Sequence, residues 1–341
     1  MTTDDASERV EGAITEALQD ASRPFRSVDA VGAAMRTLIA HKLADLPVPG
    51  VGRTLERWRA LAAVGAVDLS LAKLYEGHTD ALAILAELGR PADAGLWAVW
   101  AAEPPSARVT FRAGAGGGTL TGRKAWCSGA AVVDCAVISA WTPDGEPMLV
   151  AVSLRQSRIR FEPDGWNAVG MSACASVAVD FDGVAAVPIG VPGAYVARPG
   201  FWQGGAGIAA VWYGATLAVA RTLAASTKVM NDTHVAAHLG AVDTTLRAVR
   251  ALLVETATWI DANATADTAL AALRVRAAVE AAAHDVLLRV GRALGPGLLC
   301  TDAEHAQRCA DLPVFLRQSH AEHDLTAIGR AVANQPRGWN L

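Results

Sequence analysis

The sequence predicts an α+β protein in three parts: an N-terminal α-helical domain over 1–96, a middle β-barrel domain over 97–196 and a C-terminal four-helix bundle domain over 197–341. Three observations carry this. Apolar residues recur at helical spacing up to about Leu96, alternating and β-branched runs replace them up to Val196, and the helical period returns from Phe201 and holds nearly to the end. At 341 residues, 52% hydrophobic and 19% charged, the chain has the apolar content to bury such layers.

In the first part the helical spacing is clearest at Val64, Val67, Leu71 and Leu74, and again at Leu82, Leu85 and Leu88. Breaks fall at Pro24, at Pro47 to Gly52 and at Gly89 to Pro91. In the middle part, strands are expected at Val109 to Phe111, Ala136 to Trp141, Met148 to Leu154, Ile159 to Phe161 and Ser176 to Phe181. Thr142-Pro143-Asp144-Gly145 is a hairpin signal, and the Gly-rich run Ala113 to Gly118 reads as a surface loop without the spacing of a phosphate-binding fingerprint. In the last part four long helices are expected, roughly Gly205 to Met230, His234 to Ala262, Thr265 to Leu294 and Asp302 to Val332, the last broken or kinked at Pro313. Asp232-Thr233 and Ala264-Thr265 offer N-caps, and Gly295-Pro296-Gly297 a stop.

A net charge of −4 gives no electrostatic reason to expect nucleic acid or anionic lipid. Five scattered cysteines without a Cys-x-x-Cys pair fit a reducing cytoplasm better than a disulfide framework or a zinc site. The start, MTTDDASERVEG, is acidic and polar, so no signal peptide is expected. Phe201 to Ala220 is uncharged and approaches the length of a membrane span, but its glycines (204, 205, 207 and 214) suit a helix buried in a bundle.

Local motifs then accumulate in order. Trp100-Ala101-Ala102-Glu103-Pro104 is followed by Lys124-Ala125-Trp126-Cys127-Ser128-Gly129, by Gly170-Met171, by Phe181-Asp182-Gly183-Val184 running to Pro188, and by Gly207 to Gly214. Leu294-Gly295-Pro296-Gly297, Arg308 to Asp311 and Ile328-Gly329-Arg330 complete the set. This succession resembles the acyl-CoA dehydrogenase superfamily over roughly residues 70–335. The resemblance implies FAD as cofactor, with Trp126 covering one side of the isoalloxazine and the Ser128 hydroxyl bonding the ring near N5 and O4; a core aromatic is the plainer reading of Trp126. It also places Ala102, Gly295 and Gly297 at the cofactor, with Ala102 standing where the family has a hydrogen-bonding Thr.

The same resemblance exposes gaps. The two placements of the family's base carboxylate fall here on Ser319 and Gly204, and neither can remove a proton; a positioned base contributes about 10²–10⁴ in rate. The Arg that reaches the FAD pyrophosphate corresponds to Ala236, with His234 and His238 nearby, and the N-terminal helical region is shorter than the family's.

The densest group of titratable residues is Arg317-Gln318-Ser319-His320-Ala321-Glu322-His323-Asp324, where helical spacing pairs His320 with Asp324. It is either a solvated or inter-subunit helical face or the substrate side of the flavin, with Glu322 a displaced base and His320 a general acid or base. A histidine here is similar to the flavin monooxygenase branch of the superfamily, in which oxygen activation replaces acyl desaturation. No third ligand at a recognised spacing accompanies the His pair, so no metal is expected.

The resemblance thus implies a cytoplasmic FAD-dependent oxidoreductase acting on the CH–CH group of an acyl thioester, carried by CoA or an acyl carrier protein. Electron-transfer flavoprotein is the expected acceptor, and a homodimer or tetramer the expected assembly. A flavin-dependent monooxygenase or oxidase on the same fold, and a non-catalytic subunit that pairs with an active homologue, are the alternatives.

Overall fold

A computed structural model describes residues 3–334. Eleven α-helices and seven strands are present among them, in the order helices, barrel strands, helices. The first helices are α1 (Thr3–Ala17), α2 (Val28–Ala40), α3 (Thr54–Val67) and α4 (Leu69–Glu87), with interruptions at the expected Pro and Gly positions and a further one at the extended Asp68, which cuts the helical spacing from Val64 to Leu74. Ser27 caps α2 by accepting from the Ala30 N–H.

Seven strands follow: β1 (Trp97–Trp100), β2 (Val109–Gly114), β3 (Gly117–Cys127), β4 (Cys135–Trp141), β5 (Pro147–Ser153), β6 (Ile159–Phe161) and β7 (Val177–Ile189). β4 pairs with β2, β2 with β3, β3 with β7, β7 with β5 and β5 again with β4, so the ring closes, with β1 added on β4 and β6 on β7. The long β3–β7 ladder shifts register between Leu120 and Thr121 and between Lys124 and Cys127. Such irregularities bend a strand, which a small barrel requires. The Gly-rich run expected as a loop is mostly strand: Ala113 pairs with Gly118 and Gly114 with Gly117. A side chain at Gly118 would meet the Phe111 ring, so the glycine lets the two strands close tightly.

The helical C-terminal region comprises α5 (Ala194–Ala197), α6 (Gly200–Ala224), α7 (Thr233–Ala262), α8 (Ala269–Leu294), α9 (Gly297–Thr301), α10 (Ala303–Phe315) and α11 (Glu322–Ala333). Asp232 caps α7 as expected, accepting from the His234 and Val235 N–H groups. α8 starts after Thr268 rather than at Thr265. Pro313 lies inside α10 without ending it. The break comes instead at a 3-10 turn, Leu316–Gln318, and at Ala321, whose φ of 46° no helix can hold. α6 is long and apolar enough to cross a membrane, but 72% of its most apolar window is buried inside the protein.

Compactness divides the chain into two discontinuous units. One holds the residues up to Glu11, Pro49–Leu69 and the described residues from Trp202 on; the other holds Gly12–Val48 and Ser70–Phe201. In the first, Val219 and Leu223 of α6, Val242 and Leu246 of α7 and Val286 and Val290 of α8 form the core. α3 lies against α6 in that unit: a Cβ at Gly214 would collide with the Ala62 carbonyl, and one at Gly65 with that of Val211. In the second unit Ala81, Ile84 and Leu85 of α4 pack on Trp97, Val137, Leu149 and Ile189 of the barrel. Asp134 stitches this unit together, accepting from Arg36, Arg155 and the Leu96 N–H. Burial opposes ionisation of Asp134, but hydrogen bonds from Arg36, Leu96 and Arg155 outweigh it and bring its pKa down to about 2.

Candidate functional site

β3 runs inward at Lys124 and then turns outward. Lys124 is 1% exposed, and its Nζ donates to the Ser139 carbonyl (2.8 Å), to Ser139 Oγ (2.7 Å) and to Glu103 Oε1 (3.3 Å). Glu103 also accepts from Ser139 Oγ (2.6 Å) and Trp141 Nε1 (3.1 Å), and the Arg108 guanidinium lies 4.2 Å over the Trp141 ring. Burial lowers the Lys124 pKa, while Glu103 works in the opposite sense. The knot fixes the turn after β1, which contains Ala102, to β3 and β4.

Two residues on, Trp126 takes a left-handed backbone (φ 56°) and leaves its indole 57% exposed. A left-handed bulky residue is strained, and a large exposed aromatic has lost the burial that normally favours it. Trp126 is therefore not a core residue, the plainer of its two sequence readings. Next to it Ser128 is buried, its Oγ bonded to Ser176 Oγ at 2.7 Å and its carbonyl accepting from Trp100 Nε1. Cys127 points inward, and burial pushes its thiol pKa up, so it is no nucleophile. The facing segment is also bent: Met171 (φ 60°) and Ala175 (φ 40°) are left-handed, and the Cys174 carbonyl accepts from the Gly129 N–H at 2.8 Å. Three of the chain's five described left-handed non-glycine residues thus flank one hydroxyl pair, and such clustering marks functional sites more often than plain scaffolding.

An isoalloxazine needs an uncovered apolar face and polar groups at its rim. Trp126 offers the first, and the turn from Ser128 to Gly129 with Ser176 offers the second, so these residues fit a flavin ring. Ala102 is half-buried and contributes no side-chain hydrogen bond. Neither Ser176 nor the Glu103–Lys124 knot was marked in the sequence, because their partners lie 48, 21 and 36 residues apart and share no motif spacing.

The remaining candidates belong to the other compact unit. Gly295 ends α8 with φ 72° and Gly297 begins α9, and nothing crowds a Cβ at either. His320 lies before α11, not on it, and is 77% exposed. Its backbone N–H donates to Asp324 Oδ2 (3.1 Å), and its Nδ1 stands 3.5 Å from Asp324 Oδ1. Glu322 is the exposed first residue of α11. Ser319 Oγ accepts from the Ala321 N–H, and Gly204 is buried in α6. Arg276, unremarked in the sequence, donates to the carbonyls of Gly205 and Gln318, the neighbours of Gly204 and Ser319. The two positions without a carboxylate are therefore tied together by one arginine.

No family model matches the sequence, and no curated protein matches it. Solved structures do. TdsC from Paenibacillus sp. A11-2, a dibenzothiophene monooxygenase crystallised with FMN and indole, is 18% identical with a TM-score of 0.74 over 97% of this chain and 96% of its own. Methanesulfinate monooxygenase MsuC from Pseudomonas fluorescens is 18% identical with a TM-score of 0.76, over 98% and 97% of the two chains. A nitrososynthase from Micromonospora carbonacea var. africana is 16% identical with a TM-score of 0.75, over 99% and 98%. At these identities the likeness is one of fold, and it runs the length of both chains: the protein has the acyl-CoA dehydrogenase-like fold of flavin-dependent monooxygenases and oxidases.

Proposed function

We propose that the protein is a flavin-dependent monooxygenase or oxidase on the acyl-CoA dehydrogenase-like fold, not a dehydrogenase of acyl thioesters. The observation that carries this is the end-to-end fold match to two monooxygenases, TdsC and MsuC. The chain's own residues support it: Ser319 and Gly204 stand at both base positions, and the Ser319 hydroxyl serves a local turn. A CH–CH dehydrogenation lacks its proton acceptor unless Glu322 or His320 is recruited, and both are exposed.

In this reading Trp126 packs on one face of the ring and Ser128 bonds its polar edge. FMN is the cofactor favoured over FAD, because Ala236 replaces the pyrophosphate-binding Arg and TdsC is bound to FMN in its crystals. A bound reduced flavin supplies the electron pair that activates dioxygen. His320, held near Asp324, is the candidate to give or take a proton. The Glu103–Lys124 knot holds the strand that carries Trp126.

The test is titration of the purified protein with FMN and with FAD, followed by reduction under anaerobic conditions. Binding of FMN, oxygen uptake that depends on reduced flavin, and no bleaching of bound flavin by acyl-CoA are expected. Bleaching by an acyl-CoA without oxygen would return the protein to the dehydrogenases. Absence of flavin binding in either redox state would remove it from the flavoenzymes.

A further inference from the structure

The buried hydroxyl pair behind Trp126 is the end of a longer chain. Ser128 Oγ and Ser176 Oγ are 2.7 Å apart, Ser176 Oγ and Cys174 Sγ 3.2 Å, and Cys174 Sγ donates to the Met171 carbonyl at 3.0 Å. Each Ser–Ser or Ser–Cys link can run in either direction, because a hydroxyl is both donor and acceptor. All the groups are buried, so solvent does not readily replace a lost partner.

We propose that Ser176 is a positioning residue that sets the direction of the Ser128 hydroxyl, and that the chain thereby favours reduced over oxidised flavin. The proposal rests on the flavin reading above. Oxidised isoalloxazine presents only acceptors along its N5–O4 edge, whereas the reduced ring presents an N–H donor at N5. Toward the oxidised ring, Ser176 donates to Ser128 and Ser128 donates outward. Toward the reduced ring, Ser128 accepts from outside and its own O–H needs an inward acceptor, which is Ser176. Ser176 then donates to the Cys174 sulfur, whose S–H is already committed to the Met171 carbonyl. Without Ser176 the oxidised arrangement survives, but the reduced one leaves a buried O–H without an acceptor. The left-handed residues at Trp126 and Ala175 hold both ends of the link in place.

The experiment measures dissociation constants for oxidised and reduced FMN, the latter anaerobically, in the wild type, Ser176→Ala and Ser176→Thr. Ser176→Ala is expected to weaken reduced FMN about tenfold and oxidised FMN by less than about twofold. That difference equals a bound-flavin potential lowered by about 30 mV for a two-electron couple. Ser176→Thr keeps the hydroxyl and is expected to restore the wild-type ratio. In a Ser128→Ala background, Ser176→Ala is expected to leave the ratio unchanged. Equal loss in both redox states, or no loss in either, overturns the proposal and leaves the flavin reading standing. A wild type that binds no flavin defeats both. Should Ser176→Ala fail to fold, Ser176→Cys retains a weak donor and acceptor of similar size, and a smaller shift of the same sign is expected; a shift of opposite sign overturns the proposal.

Discussion

The turn after β3 and the segment before α11 are the two places where the sequence concentrates chemistry-bearing residues, and the fold treats them oppositely. Around Trp126 the polar side chains (Lys124, Glu103, Ser139, Ser128, Ser176) find partners far away in sequence and leave one large aromatic uncovered. Before α11 the side chains of Arg317, His320, Glu322 and His323 are exposed and only Asp324 is buried, and their contacts include local ones: Ser319 with the Ala321 N–H and Asp324 with the His320 N–H. A site that must hold a rigid planar ring is served by the first kind of arrangement, because long-range partners fix geometry. Density of titratable residues in sequence is a poorer guide than inward placement.

The hardest test of this contrast is Glu103→Ala. It strips the carboxylate from a fully buried Lys124 and an acceptor from Trp141 Nε1. Breaking a buried pair costs about 3–5 kcal/mol, and the remaining bonds from Lys124 to Ser139, with Glu103 itself part-exposed, bring the expected loss to about 2–3 kcal/mol in urea unfolding. A loss below about 0.5 kcal/mol would mean that the knot does not hold the strand, and the contrast would fail.

Next in size is Trp126→Ala. Because the indole is exposed, folding stability is expected to change by less than about 1 kcal/mol. FMN affinity, read by quenching of flavin fluorescence, is expected to fall about 30-fold, the loss of one stacked aromatic. Unchanged affinity would place the flavin elsewhere.

Acid unfolding tests the same unit through Asp134. Its pKa is depressed from 3.8 to about 2 in the fold, so its stabilisation is complete above about pH 4 and disappears as pH falls towards 2. Its arginine partners are largely exposed, so about 1–2 kcal/mol is expected after screening. Asp134→Asn should remove that part of the pH dependence of the urea midpoint, and an unaltered slope would show that Asp134 does not stitch the unit.

The three-part order of elements was legible because periodicity changes twice, and Pro24, Asp232 and Gly295 act through local backbone chemistry. β3 was not, because Gly117 and Gly118 end a Gly-rich run that resembles a loop until the close approach of β2 and β7 gives them a reason. The motif around Trp126 was visible as a motif, whereas its exposure and the contact of Ser128 with Ser176 depend on the pairing of β3 with β7. At the other end, helical spacing from Arg317 to Asp324 suggested one continuous face. The left-handed Ala321 divides it, a tertiary choice that an alanine does not announce.

The smallest expected effect is the one that separates local from chemical roles before α11. Ala321, the N-cap residue, has no side-chain acceptor, so the first turn depends on Asp324 reaching back to the His320 N–H. Asp324→Ala should then cost about 1 kcal/mol. Asp324→Asn keeps an oxygen acceptor and should cost only a few tenths, since His320 and His323 are exposed and a pair in solvent contributes little. The two substitutions are compared by thermal unfolding under one set of conditions. If Asn costs as much as Ala, the Asp324 charge serves the histidines rather than the backbone. The segment would then be a charge relay and not a capped turn, and His320 would gain the oriented partner that a proton-transfer role requires.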